Sequence, residues 1–437
     1  MAITNGRLLV TRRLSDQDYG EVYDIDTETM TLTRTIRLNR VTTPDSISGG
    51  SGVPNVLNSI TVSPDGTRAY VAASKHNNLT VPSAENNIRA ITSVIDLVNN
   101  QDANTDDTAS TLNSIDFDNS GDPFGATFLR DGETLAFTFQ GNDDVIFRTS
   151  NGIGVIGGNA VGGAPQGTCV TDQVLYINNA TSRTVTALDT YPITELGQSA
   201  ATRLEMDKQI PAEALTSEEL DGKRIFYSAN ELSQENYMSC ASCHVDGATD
   251  DRIRLETGME LRTPTLIGIN PDTFNHIDPP HDEFQDTEHT IRFLMMGDGL
   301  APAISIDGDS DMSLVPTAGA STALDNLAAY QRHLATRGFR SSFFLENGDV
   351  SVFYEGGRLL LEAMCPDCAD GTVSRPIDER DVEVAIREAG GDPFVDLDLM
   401  LLLGDYSGLP AGMRAVAESW TPSQVNQVRY FLRTRKQ

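Results

Sequence analysis

Cys240-Ala-Ser-Cys243-His244 places two thiols and an imidazole within one short run. Two thiols at this spacing can form thioethers to the two vinyl groups of a porphyrin. The next side chain then reaches the iron as its proximal ligand, so the run reads as a c-type haem attachment site. A lone disulfide and a thioredoxin-like redox pair share the Cys-x-x-Cys spacing, but neither needs the histidine that follows. Covalent haem attachment implies a periplasmic or extracellular protein. The first twenty residues lack the apolar core of a signal peptide, so a leader is expected to have been removed or omitted.

Three cysteines remain. Cys365-Pro-Asp-Cys368 repeats the spacing, but Ala369 stands where a second haem would need histidine. In an oxidising compartment the pair reads first as a Cys365–Cys368 disulfide. A redox-active dithiol is an alternative reading, and a metal site would need two further ligands that the neighbourhood lacks. Cys169 is the odd thiol and is expected to be buried in a strand.

The elements that must position these groups change character along the chain. Residues 1–200 carry a repeated plan of alternating strand, Asp-Gly turn and second apolar strand, which is a hairpin pattern. It is clearest at Asn58-Ser-Ile-Thr-Val-Ser-Pro-Asp-Gly66 with Thr67–Ala73, and at Phe124–Gly132 with Glu133–Phe139. Further copies are Gly167–Asp172 with Gln173–Ile177 and Asn178–Asp189, and Gly6–Thr11 with Gly20–Asp26 and Met30–Ile36. Asp131 and Asp172 are about 41 residues apart, the length of one four-stranded propeller blade. The longer gap from Asp65 to Asp131 needs an insertion, which the Asn/Asp/Thr-rich residues 99–120 supply.

From about Leu204 the spacing turns helical. Thr216-Ser-Glu-Glu219 forms a capping box at the start of a helix leading towards the haem motif. Thr322–Leu334 places apolar residues at i, i+3, i+4 and i+7 of a closing helix. The same outline returns in Val352–Cys365 and Thr421–Leu432. The expected fold is therefore multidomain β + α. A partial β-propeller of about four blades spans 1–200, a cytochrome c-like haem domain spans 210–338, and a second all-α cytochrome c-like domain without its haem histidine spans 350–437. Four blades is the low end for a propeller, so a partner chain or a second copy is expected to complete it, unless the frame begins inside a longer protein. A plain β-sandwich is the alternative for the repeats.

Composition bounds the function. With 32 Lys+Arg against 63 Asp+Glu the formal charge is −31, which argues against nucleic-acid or anionic-membrane binding and suits either a saline environment or a cationic partner without identifying which. A 39% hydrophobic share supplies material for real cores. No run of eighteen apolar residues occurs, so no membrane span is expected.

The propeller-like repeats resemble the YVTN-type β-propeller family, through SPDG and YVAAS in residues 63–74 and TSVIDL in residues 92–97. From residue 216 the motif order resembles the bacterial dihaem cytochrome c peroxidase/MauG superfamily. The matching residues are Gly222-Lys-Arg-Ile-Phe226, Met238–Gly247 around the haem motif, Arg262-Thr-Pro-Thr-Leu266 and Glu288–Gly297 with Gly299-Leu300. The chain departs from that pattern at Ile277, after His276, and at Ala369.

The resemblance implies a distal haem ligand. Met296, in the Leu294-Met-Met-Gly297 segment, ranks first, with Met295 as its neighbour and rival; Met259, in the loop before Arg262-Thr-Pro, ranks second. His276, His281 and His289 are bis-histidine alternatives. Arg262 could hold a haem propionate in bidentate fashion, or form a surface ion pair. Asp307-Gly-Asp309-Ser-Asp311 resembles a Ca²⁺ loop, but Met312 and Ala318 replace the glycine and glutamate that such a loop uses.

Three functions compete. The first is electron transfer through one covalent haem to a redox partner protein, with the propeller as scaffold. The second is a peroxidase or oxidase of the dihaem cytochrome c peroxidase type. The third is a structural or assembly subunit. Against substrate oxidation stands the lack of a clustered acid/base set in residues 1–200, where His76 stands alone in the sequence.

Overall fold

The computed structural model describes residues 1–42, 51–77, 87–103, 114–117, 119–150, 154–209, 214–256, 259–267, 283–302, 317–337 and 418–419. The chain divides into two compact units, Met1–Ala335 and Thr336–Gln437. The second unit, with the expected haem-less domain and Cys365, Cys368 and Ala369, lies almost wholly outside the described residues. So do His276, His281 and the Asp307, Asp309 and Asp311 loop.

The first unit is mostly β. Among the described residues, four antiparallel sheets follow one another along the chain, each with its strands in sequence order. Sheet 1 holds β1 (Ala2–Thr4), β2 (Arg7–Arg12), β3 (Gly20–Asp26) and β4 (Leu32–Leu38). Sheet 2 holds β5 (Val53–Val62), β6 (Arg68–His76), β7 (Ile88–Asp96) and β8 (Gln101–Asp102), with β9 (Ser114–Asp116) also paired to β7. That extra strand is built from the Asn/Asp-rich insertion. Sheet 3 holds β10 (Pro123–Phe128), β11 (Thr134–Phe139), β12 (Asp144–Thr149) and β13 (Val155–Ala160). Sheet 4 holds β14 (Pro165–Thr171), β15 (Val174–Asn179), β16 (Thr184–Asp189) and β17 (Thr202–Gln209), with α1 (Tyr191–Thr194) before its last strand.

The turns follow from their residues. Gly66 and Gly132 take φ of +71° and +69°, a conformation open to glycine at no steric cost. In the same turns Asp65 accepts from the Thr67 amide and Asp131 from the Glu133 and Thr134 amides. The first hairpins of sheets 2 and 3, β5–β6 and β10–β11, are therefore closed locally, and side-chain alternation leaves each sheet two faces to cover. Successive sheets cover one another. Leu9, Val22 and Ile36 of sheet 1 pack with Leu57, Val71 and Ile91 of sheet 2, and Phe137 and Phe139 of sheet 3 pack with Tyr70 and Val94. Phe147 and Ala136 pack with Leu175 and Leu188 of sheet 4.

Among the described residues the series is propeller-like and unclosed. On the outer face of sheet 1 the register aligns Ile3, Leu8, Ile25 and Leu32 in one cross-strand row, and Ile3 is 74% exposed. On the outer face of sheet 4 Cys169, Tyr176, Ala187 and Leu204 line up in the same way. Cys169 is in a strand as expected, but it is exposed. Alternation puts it on the face that no fifth sheet covers among the described residues.

The α segment follows directly. Its elements are α2 (Ser217–Phe226), α3 (Ala229–Leu232), α4 (Cys240–Cys243), the hairpin β18 (Ile253–Glu256) with β19 (Met259–Arg262), α5 (Thr287–Phe293) and α6 (Thr322–Arg337). Thr216 and Glu219 cap α2 reciprocally. α2 crosses α6 where Gly222 meets the Asn326 carbonyl, and a Cβ at Gly222 would run into that backbone oxygen. One turn on, Phe226 meets Tyr330 edge-on, with ring centroids 5.3 Å apart. Ile225, Leu232, Met238, Leu266, Ile291, Met295, Leu327 and Leu334 fill the core between these helices. No described helix is long and apolar enough to cross a membrane.

Candidate functional site

The haem motif forms one helical turn, α4, capped at both ends of its first turn by serines. Ser239 accepts from the Ala241 amide, and Ser242 accepts from the Ser239 amide. Each hydroxyl then donates its proton to Asp122, one to each carboxylate oxygen, at 2.5 Å. Asp122 lies in sheet 3's approach to β10, so the propeller-like unit clamps the turn that carries both thiols. Burial raises the Asp122 carboxyl to about 6, against the pull of the two serine bonds.

The rest of this face is joined as closely. Gly121 approaches Tyr237 so tightly that a Cβ would stand 2.8 Å from its carbonyl oxygen. Asn142 Nδ2 donates to Asn230, and the Ala229 amide donates to the Gly141 carbonyl. The Arg89 guanidinium lies 3.9 Å from the centroid of the buried Tyr237 ring, and Arg13 pairs with Asp246. A cleft lined by Asn58, Asp122, Gln140, Tyr227, Ala241 and Asp246 runs along the seam.

The motif's side chains suit the group that its sequence implies. Cys240 and Cys243 are thiols with no disulfide between them. Burial, with Cys243 and Asp122 nearby, pushes the Cys240 thiol up to about 12. A redox-active Cys-x-x-Cys pair works through a lowered thiol pKa, so this environment runs against that alternative. His244 Nδ1–H donates to the Pro264 carbonyl at 2.9 Å. The carbonyl can only accept, so the tautomer is fixed and Nε2 keeps its lone pair for a metal. Burial lowers the imidazole's pKa and holds it in the neutral form that ligates. The Leu266 amide donates to the Gly247 carbonyl, closing the 263–267 loop onto the motif.

The remaining sequence candidates fall in different places. Met296 is 49% exposed and takes φ +52°, whereas its rival Met295 is 4% exposed and packs into the core with Ile291. Met259 opens β19, opposite Glu256. Arg262 is exposed and paired with Asp251, the surface ion pair weighed for it above. The His289 and Phe293 rings lie 4.5 Å apart between centroids, tilted 35° to one another.

His76 is not alone, contrary to its isolated place in the sequence. It lies at the end of β6, fully buried, and its Nδ1–H donates to the equally buried Asp250 at 2.8 Å. Arg254 grips the same carboxylate and also reaches Asn87 and Thr263. Burial alone would raise Asp250, but Arg254 and the His76 bond outweigh it and hold the carboxyl well below its usual range. Neither Asp122 nor this cluster carries a local signal. Their partners are far along the chain, and only the docking of the α segment on the sheets brings them together. Among the described residues no group of three or more His, Cys, Asp or Glu could hold a metal ion.

No family model matches the chain, and no curated protein matches it either. Among solved structures, one similar chain is described as Kuenenia stuttgartiensis hydrazine synthase, with a TM-score of 0.32 and 14% identity over 42% of this chain and 56% of that one. Another comes from a crystal structure of a nidogen/laminin complex, with a TM-score of 0.27 and 16% identity over 42% of this chain and 55% of that one. The chain thus spans just over half the length of the chains it matches.

Proposed function

We propose that this chain is a c-type cytochrome that transfers electrons through one covalently attached haem. The observation that carries the reading is the His244 Nδ1 bond to Pro264 beside Cys240 and Cys243 on one turn. Two thiols and one oriented imidazole nitrogen are what the group requires of the protein. The bound haem would supply one-electron Fe(III)/Fe(II) chemistry. Cys240 and Cys243 would anchor it, His244 Nε2 would face the iron, and Met296, Met295 or Met259 would supply the distal ligand. Asp122 holds the anchoring turn, and the sheets serve as its scaffold.

The reading places the protein in the periplasm or outside the cell, in the dihaem cytochrome c peroxidase/MauG superfamily with YVTN-type repeats. A cationic redox protein suits the charge of −31, and a second copy or partner chain suits the bare faces of sheets 1 and 4.

The ferric protein's optical and electron paramagnetic resonance spectra test this proposal. A low-spin signal with a methionine-to-iron charge-transfer band is expected, and it should disappear in Met296→Ala if Met296 is the ligand. A high-spin spectrum that responds to peroxide would instead make the chain a haem enzyme. Absence of haem from the natively produced protein would leave the assembly role.

A further inference from the structure

The hydrogen bond at His244 is held from a distance. Pro264, its acceptor, follows Thr263, whose hydroxyl accepts from Arg254 Nη1 at 2.6 Å. Arg254 Nε donates to Asn87 Oδ1 at 2.9 Å, and its other amino group grips Asp250. Asp250 accepts from His76 Nδ1–H, and its backbone carbonyl accepts from Asn55 Nδ2 at 2.8 Å. Asp250 also accepts from the Arg252 amide. His76, Asn87 and Asn55 belong to sheet 2 and its loops, whereas Asp250, Arg254 and Thr263 belong to the α segment.

The five residues His76, Asn87, Asp250, Arg254 and Asn55 are at most 6% exposed. A buried ion pair recovers its desolvation cost only when its remaining groups are bonded, and removing one member leaves the others stranded. Bonds on both sides of Asp250 and Arg254 restrict the network's geometry, and among the described residues Thr263–Pro264 carries its hydrogen-bonded path to His244.

We propose that the His76–Asp250–Arg254 network of the sheet unit positions the Thr263–Pro264 segment so that the His244 Nδ1–H bond persists, and so lowers the reduction potential of the haem that His244 ligates. This rests on the haem reading above. His76 acts as a positioning residue: it orients Asp250, Asp250 orients Arg254, and Arg254 holds Thr263. A hydrogen bond accepted from the far nitrogen raises the basicity of a ligating imidazole. A more basic ligand favours Fe(III) over Fe(II), so loosening the network raises the potential.

The test is spectroelectrochemical titration of the full-length holoprotein with Thr263→Val, His76→Leu and His76→Asn. Thr263→Val removes the hydroxyl while keeping the shape, and His76→Leu removes the donor to Asp250. Both are expected to change the ferric-to-ferrous ratio at a fixed applied potential about tenfold towards ferrous, which is about 59 mV for one electron. His76→Asn places an amide N–H near where Nδ1 stood and is expected to return most of the shift. A merely architectural role would lower the melting temperature of His76→Leu and leave every potential at the parent value, which would overturn the proposal. If His76→Leu does not fold, Thr263→Val and His76→Asn decide alone. A parent protein without covalent haem would refute the haem reading itself, a different result from covalent haem with unmoved potentials.

Discussion

Replacing both Cys240 and Cys243 with serine is expected to abolish covalent haem. The parent should keep its haem through denaturation and acidified-acetone extraction, and the double variant should release all of it. Each single variant keeps one candidate thioether, so the α-band of its pyridine haemochrome should shift towards the position of a haem with one unreacted vinyl. The effect is expected to be all-or-none because the second Cys-x-x-Cys pair, Cys365 and Cys368, is followed by Ala369 instead of histidine. His244→Ala should retain the attached haem and lose the low-spin spectrum, since attachment and ligation use different atoms. A double variant that still holds haem after extraction would refute the assignment.

The second large effect belongs to Asp122. Its carboxyl ionises near 6 in the folded chain and near 3.9 when exposed. Between those values the folded state binds more protons than the unfolded one, so stability falls as pH rises from about 4 to about 6, and the loss is complete above that window. Two pKa units correspond to about 3 kcal/mol. Asp144, raised to about 7 by burial and by Asp143, adds a fall of the same sign that reaches further up the scale.

Asp122→Asn should remove its share of this slope in melting curves recorded from pH 4.5 to 8, and parallel curves for parent and variant would refute the assignment. Asp122→Ala leaves the hydroxyls of Ser239 and Ser242 without their acceptor. It should cost roughly 2–5 kcal/mol at pH 5, with the Cys240–Cys243 turn loosened first, because Asp122 bonds both serines that cap it.

The contrast between Cys240 and Asp122 shows what a sequence can convey. The Cys240–His244 run is local, so its residues and spacing can be read directly. The same holds for the Asp-Gly turns at 65–66 and 131–132, the Thr216–Glu219 capping box and the amphipathic run that becomes α6. Their causes lie within a few residues of their effects.

Asp122 meets Ser239 and Ser242 across more than a hundred residues, and His76 meets Asp250 across 174. No periodicity records such a meeting. Cys169 failed for a related reason. Alternation fixes which residues share a face, but what covers that face depends on whether another sheet follows. The order of Met295 and Met296 depends likewise on the left-handed backbone at residue 296, which turns one side chain inward and the next outward.

The cross-strand rows on sheets 1 and 4, which no further sheet covers among the described residues, have a colloidal consequence. Two chains of charge −31 repel each other over a distance set by dissolved ions, about 30 Å at 0.01 M but only about 3 Å at 1 M. Apolar contact acts at shorter range and is not weakened by that screening. Charge repulsion is therefore expected to keep the Ile3–Leu32 row of one copy from the Cys169–Leu204 row of another in dilute buffer, and to do so far less in brine. Self-association of this acidic chain is therefore expected to rise with ionic strength, and sedimentation velocity at about 0.01 M and about 1 M salt checks it.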